Sequence, residues 1–347
     1  CENSLDIATG LGAQVLFGTW GEQLITDASG AVTGAYVKDK DDVYRQINAK
    51  SVVLATGDFG NNPAMREYYI PWANEFMSFY PQMDPLGAPC NTGDGQLMGI
   101  WAGGEMELGP LAPMTHHMGG ALGVNAFLQL NLEGKRFMNE DIPGQNIADQ
   151  LSRQPGKESW QIFDAKWPEH LLSQPTGHGY VNYFVPDDKI AEYETVLAGF
   201  GLGYTTKQMV EDTVTCKADS IEELAKLMAL PVDVVTAEVA RYNELCAKGT
   251  DEDFGKDPRR LYPVLEAPFY ACKFESAGML VVMGGLKTDL DLHVLDAENK
   301  PVPGLFATGN NMGGRFLVEY PVTVAGLSLG TALSFGRLAG KNAAANA

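Results

Sequence analysis

The stretch that most limits the fold lies near the end of the chain, at Gly304-Leu305-Phe306-Ala307-Thr308-Gly309-Asn310-Asn311-Met312-Gly313-Gly314-Arg315. A short apolar strand runs into glycines and then into a polar loop. Beyond Tyr320-Pro321 comes a run of small residues, Ala325-Gly326-Leu327-Ser328-Leu329-Gly330-Thr331-Ala332, that reads as a helix start. Glycine lets a backbone approach a ligand closely. A helix N-terminus aims free N–H groups and positive potential at electron-rich atoms. This strand, turn and helix start therefore suit a bound cofactor.

A second strand makes the same offer. Ser51-Val52-Val53-Leu54-Ala55 is apolar on both faces, as a buried parallel strand would be. It stops at Thr56-Gly57, where open α/β sheets place a ligand crevice at the carboxyl ends of their strands. Asp58, next in line, reads as a turn residue or helix N-cap. Asn91-Thr92-Gly93-Asp94-Gly95 reads as a turn in which Thr92 or Asp94 caps a helix.

Elsewhere the patterns are plainer. Ser4 to Gly12 suits a short helix, and Gln14 to Thr19 a strand. Gln23–Thr26 and Ala31–Val37 form a hairpin around Asp27-Ala28-Ser29-Gly30. Pro113 to Gly120 reads as a glycine- and histidine-rich loop. Phe127 to Asn131 reads as a strand. Ser220 with Glu223 is a capping box, and Pro231 opens a helix with Val235, Val239, Tyr242 and Leu245 at helical spacing. Leu290 to Asp296 alternates as a strand and turns back at Ala297 to Lys300.

Composition excludes several classes. The 347 residues suit two domains or one large one, and 45% hydrophobic content supplies a core. A net charge of -19 repels nucleic acid and anionic lipid. Cys1, Cys90, Cys216, Cys246 and Cys272 are irregularly spaced, with no C-x-x-C. Neither a disulfide framework nor a zinc or haem site is expected. No apolar run is long enough for a transmembrane helix. Cys1-Glu2-Asn3-Ser4 is not a secretory leader, and the compartment stays open between cytoplasm and export.

Several stretches, in order, carry a resemblance: the Ser51–Asn62 strand and turn, Asn91–Gly95, Glu133-Gly134-Lys135-Arg136-Phe137-Met138-Asn139-Glu140, Met283-Gly284-Gly285-Leu286, and the Gly304–Pro321 stretch. Together they resemble the fumarate reductase/succinate dehydrogenase flavoprotein superfamily, which includes the 3-ketosteroid dehydrogenases. The resemblance implies an α/β fold, with a discontinuous Rossmann-like FAD-binding domain and an inserted α+β capping domain. It implies residues 1–110 and 266–347 for the cofactor domain and 111–265 for the capping, substrate-binding domain. FAD is the implied cofactor, contacted by Ala55, Thr56, Gly57, Asp94, Gly309, Asn310, Ser328 and Leu329. A small-molecule substrate is implied, with a cytochrome, reduced flavin or quinone-linked protein as electron donor.

The implied chemistry departs from fumarate reduction. The fumarate branch has an arginine a few residues past the Arg136-Phe137 turn, where this chain reads Asp141-Ile142-Pro143-Gly144-Gln145-Asn146. Its histidine before the paired glycines is replaced within the apolar Leu280-Val281-Val282-Met283, and a substrate-clamping arginine is matched in spacing by Tyr320. Buried carboxylates need charge-assisted partners, so a dicarboxylate substrate is disfavoured. Tyr320-Pro321 resembles the ketosteroid branch, although Val322-Thr323-Val324 replaces its Gly-x-Gly. Tyr320, His116 and Arg315 are the catalytic candidates, with His117 as an alternative to His116. His170, His178 and His293 read as solvent-facing or structural. The expected function is FAD-dependent reduction or formation of a C=C bond beside a carbonyl. The rivals are a 3-ketosteroid-type dehydrogenase and a cofactor-free fragment with only a binding or structural role.

No G-x-G-x-x-G follows a strand before Gly57; Gly10-Leu11-Gly12 lacks the third glycine. The chain thus resembles the family from a point after its ADP-binding unit. It is expected, alone, to hold FAD weakly or not at all. Visible spectra before and after dialysis check this, and stoichiometric flavin that survives dialysis contradicts it.

Overall fold

Parallel pairing of β4 (Val52–Leu54) with β13 (Pro301–Ala307) joins the two strands singled out by sequence. The structure, a computed structural model, describes residues 2–76, 79, 83, 84, 87–123, 125–174, 182–184, 189, 203–316, 318, 320, 321, 324 and 326–345. Helix α1 (Glu2–Gly10) opens the chain and buries no residue. The strand expected from Gln14 begins only at Thr19. Val15, Leu16 and Phe17 are exposed and, among the described residues, have no strand beside them to complete a ladder. β1 (Thr19–Thr26), β2 (Val32–Asp39) and β3 (Tyr44–Asn48) form an antiparallel sheet in that order. β12 (His293–Leu295) flanks β13 and is shorter than expected, because exposed Leu290 lies in a turn.

Three helices follow β4. Pro63 opens α2 (Pro63–Tyr69), whose cap is Asn62; its side chain accepts the Met65 N–H at 3.1 Å. α3 is Pro71–Phe76 and α4 is Asp94–Trp101. The expected side-chain cap on α4 is not made. Gly93, at φ 80°, is its N-cap, and the Thr92 hydroxyl instead donates to the Asp94 carboxylate at 2.7 Å. One core fills the space between these helices and the sheets, with Leu54, Phe59, Met98, Leu286, Val294 and Leu305 buried together. Each such side chain is worth about 1.5–3 kcal/mol of burial.

The second sheet has the order β10-β11-β7-β6, with β5 also paired to β11. Its strands are β5 (Ala112–Gly119), β6 (Leu128–Asn131), β7 (Glu158–Phe163), β10 (Cys216–Ala218) and β11 (Phe269–Met283). The Pro113–Gly120 segment is therefore a strand, not a loop. Its identity comes from β11, against which it runs from Met283↔Ala112 to Phe274↔Gly119. Helices α5 (Gly144–Leu151), α6 (Trp167–Ser173), α7 (Lys207–Thr213), α8 (Ile221–Leu227) and α9 (Val232–Lys248) surround it, with the short parallel pair β8 (Asn182–Phe184) and β9 (Gly203–Thr205). The Ser220 hydroxyl caps α8, accepting the Glu223 N–H at 3.2 Å. Val235, Val239, Tyr242 and Leu245 form the buried face of α9, as their spacing predicts. β11 meets β10 and β7 in its first half and β5 in its second, so one strand connects this sheet to the glycines at 284–285.

A buried ion network anchors the turn after β6. Arg136 donates to both carboxylate oxygens of Glu140 at 2.8 and 2.9 Å, and to Asp251 at 3.0 and 2.7 Å. Lys256 lies 3.2 Å from Glu140 and donates to the Tyr242 hydroxyl at 3.0 Å. The guanidinium is also 5.0 Å from the rings of Tyr242 and Phe254. Burial pushes the Asp251 carboxyl upward, but hydrogen bonds from Arg136 and the Lys256 N–H outweigh it and hold the pKa at about 2. Removing one partner of a buried network strands the others. Glu140→Ala is expected to cost about 3–5 kcal/mol in urea unfolding; a loss under ~1 kcal/mol, the scale of an exposed ion pair, contradicts this account.

Candidate active site

β4 and β13 end side by side. The Thr308 N–H donates to the Leu54 carbonyl at 2.9 Å, and both chains then leave the sheet. Gly309 turns at φ 60°. Asn311 is fully buried, and its amide oxygen accepts the Thr56 N–H and, at 3.1 Å, the Thr56 hydroxyl. Gln96 of α4 is also fully buried and donates to the carbonyls of Gly57 at 3.0 Å and Asn310 at 3.1 Å. Thus Thr56, Gly57, Gly309 and Asn310 gather at one crevice. Ala55 and Thr56 are exposed there. Asp94 starts α4 one residue before Gly95, which packs on Thr56 and Asn311. Its own side chain is exposed and lines a separate cleft of about 530 Å3 with Trp20, Lys38, Leu97 and Trp101.

A second group adjoins the first. Arg315 donates to the Asn310 side-chain oxygen at 2.8 Å and the Thr331 hydroxyl at 3.4 Å, linking the crevice to α10 (Leu327–Ala345). Burial pulls its pKa down, against the charge of Glu107. Glu107 accepts the N–H of Gly285 at 3.1 Å and of Gly314 at 2.7 Å. Tyr320 is buried, and its hydroxyl accepts the Ser328 N–H at 3.0 Å. One free donor at the start of α10 is therefore spent on the phenol, while the Leu329 side chain is exposed. The Tyr320 ring meets Phe316 edge-on at 5.1 Å, within an apolar cluster that includes Ala112, Met283, Met114 and Leu327.

His116 stands opposite Gly278 in the β5–β11 ladder. Its side chain and that of His117 lie outside the described residues, as do Cys1, His178, Val322 and Thr323. His170 stacks on Tyr262 at 5.0 Å, and His293 bonds Asp289 at 2.9 Å. Gln96 and Glu107 carry no motif; the only sequence signals near them are the glycines they touch.

The Asp58 side chain does not cap α2, since Asn62 does. It is buried and closes a tight turn, its Oδ1 accepting Gly60 N–H at 2.6 Å and Val282 N–H at 3.4 Å. Burial pushes its carboxyl up to about 6 despite those bonds.

Residues 6–321 match the family model for an FAD binding domain. The chain belongs to the FAD binding domain family. It is 28% identical to a vinyl phenol reductase of Lactiplantibacillus plantarum, over 96% of this chain and 68% of that protein. It is 30% identical to a 3-oxosteroid 1-dehydrogenase of Mycolicibacterium smegmatis, over 92% of this chain and 57% of that protein. The open conformation of a flavocytochrome c3 fumarate reductase superposes with a TM-score of 0.63 at 28% identity, over 99% of this chain and 55% of that one. The chain thus spans little more than half the length of the last two.

FAD is the cofactor of this FAD binding domain family, and the crevice suits it. Thr308 Oγ1, Asn311 Nδ2, Gln96 Oε1 and Arg315 Nε are buried there with no protein partner. Buried polar groups ordinarily find partners, and this mix of donors and acceptors matches a polyhydroxyl chain joined to a polar ring. A Cβ on Gly309, Gly314, Gly326 or Gly330 would meet nothing within 4 Å, so the backbone on this side is open to a ligand.

Asp58 sets a pH dependence for this FAD binding domain. Its folded pKa, about 6, lies above the ordinary carboxyl value of 3.8. The folded state therefore favours the neutral acid. Stability is full below pH 4 and falls as pH rises towards 6, by on the order of 3 kcal/mol. Asp58→Asn removes this slope. The melting-temperature difference between variant and wild type is expected to shift in the variant's favour between pH 4 and 6 and to level off above. A constant difference contradicts this.

Proposed function

We propose that this chain is the flavin- and substrate-binding part of an FAD-dependent oxidoreductase that reduces or forms a C=C bond conjugated with a carbonyl or aromatic group. The observation that carries this reading is the state of Tyr320. Its oxygen accepts the Ser328 N–H, which leaves its own proton free to donate, inside an apolar cluster. The bound FAD would supply hydride chemistry; Thr56, Gly57, Gln96, Gly309, Asn310, Asn311 and Arg315 would hold it. Tyr320 would donate to a carbonyl or phenol oxygen, or hand a proton to the alkene. The helix N–H steadies the negative charge left on its oxygen. Met114, Met283 and Phe316 exclude water from that bond.

A neutral substrate fits better than a dicarboxylate. Among the described residues, the buried cations around the Arg136 turn are already matched: Arg136 by Glu140 and Asp251, Lys256 by Glu140, and Arg260 by Asp141 at 3.0 Å. A second reading, dehydrogenation of a 3-oxosteroid, is favoured by Tyr320-Pro321 and by the 30% identity to the mycobacterial enzyme. On either reading residues 111–265 form the capping, substrate-binding domain between the cofactor segments 1–110 and 266–347. Electrons would reach or leave the flavin through a cytochrome, reduced flavin or quinone-linked donor. His116 remains a proposed substrate contact on β5.

Steady-state assays of the full-length protein, with a reduced viologen as donor, test this reading. Neutral conjugated alkenes such as vinyl phenols are expected to turn over and fumarate is not. Tyr320→Phe is expected to lower kcat by about 10²–10³ with the flavin spectrum intact. Robust fumarate turnover, or a Tyr320→Phe rate within about twofold of wild type, overturns the assignment.

A further inference from the structure

Two pairs of glycines, Gly284-Gly285 after β11 and Gly313-Gly314 in the cofactor loop, meet around one side chain. The Glu107 carboxylate bonds Gly285 with one oxygen and Gly314 with the other. The Glu107 N–H returns a bond to the Gly285 carbonyl at 2.9 Å, and Gly313 donates to Leu286 at 2.7 Å. A Cβ on Gly284 would stand 2.9 Å from Glu107 Oε1, and one on Gly313 2.7 Å from its Cδ. Only glycine on both sides leaves room for the carboxylate. Every group it bonds is a backbone donor, and Arg315, the residue after the second pair, lies within its electrostatic reach.

We propose that Glu107 is a positioning residue of the flavin site: it clamps the two glycine turns together and serves as the counter-charge that holds Arg315 against Asn310. The loop that carries Arg315 is itself tethered by the Gly314 bond, so the anion fixes both the place and the charge balance of the guanidinium. Burial raises the Glu107 pKa, while the two backbone bonds and Arg315 oppose that rise. An anion near the flavin disfavours its electron-rich reduced form, and a cation favours it.

This role rests on the flavin site assigned above. The test is the two-electron potential of the flavin in the full-length, flavin-loaded protein. Glu107→Gln keeps one acceptor but loses the charge. It is expected to raise the potential by about 30 mV, a tenfold shift in the oxidised-to-reduced equilibrium. Arg315→Ala is expected to move it about tenfold the other way. The double variant should lie within about twofold of wild type, because the opposite charges leave together. A Glu107→Gln protein that melts earlier, yet keeps the wild-type potential within twofold, shows a purely structural glutamate and overturns the proposal. Wild-type protein without flavin absorbance overturns the site assignment, and this role with it.

Discussion

The bond from Thr56 to the buried Asn311 amide holds the site together. It joins the end of β4 to the loop after β13, two segments distant in sequence. Leu286 extends the join: its N–H donates to the Asn311 carbonyl at 2.8 Å, and it bridges to Met106 on one side and Met312 on the other. Such close backbone approach needs glycine; a Cβ on Gly285 would stand 2.2 Å from the Asn311 carbonyl oxygen. Loss of the Asn311 amide would take away the shared acceptor of the Thr56 N–H and hydroxyl.

From that junction the rest of the architecture follows. β11 carries Val281 and Met283 to the Tyr320 cluster at one end and pairs with β7 and β10 at the other. The Tyr320 cluster and the second sheet therefore share a strand. The Arg136 network fixes the far side of that sheet with its buried charges paired to one another. Among the described residues, Arg315 and Glu107 are opposite charges beside the crevice, and each moderates the other.

Local chemistry made much of this legible in sequence. Two-sided apolarity marks β4, and a strand running into Gly309 marks β13. The Ser220–Glu223 spacing marks the start of α8. Each depends on residues close together in the chain. β5 depends on something else: Met114 to His117 carries no strand pattern of its own, and its ladder is imposed by β11. Val15 to Phe17 shows the converse, an apolar run that, among the described residues, has no strand paired beside it and stays out of a sheet. At the site, the glycines at 284–285 and 313–314 were visible, but their shared partner Glu107 becomes apparent only when three loops meet. Gln96 likewise stands two residues past Asp94, and only the fold shows that it bridges the two strand ends. Asp58 was read as a turn residue, which it is, but its burial comes from β11 behind it.

The most direct measurement is a crystal structure of the full-length protein with its flavin bound. The account predicts the flavin ring and ribityl chain between Thr56–Gly57 and Gly309–Arg315, in contact with Asn311, Gln96 or Arg315 atoms that are now unpartnered, and with the Tyr320 hydroxyl facing the open side of the ring. Flavin found in the Trp20–Trp101 cleft, or anywhere that leaves Thr56, Asn311 and Arg315 untouched, would contradict it.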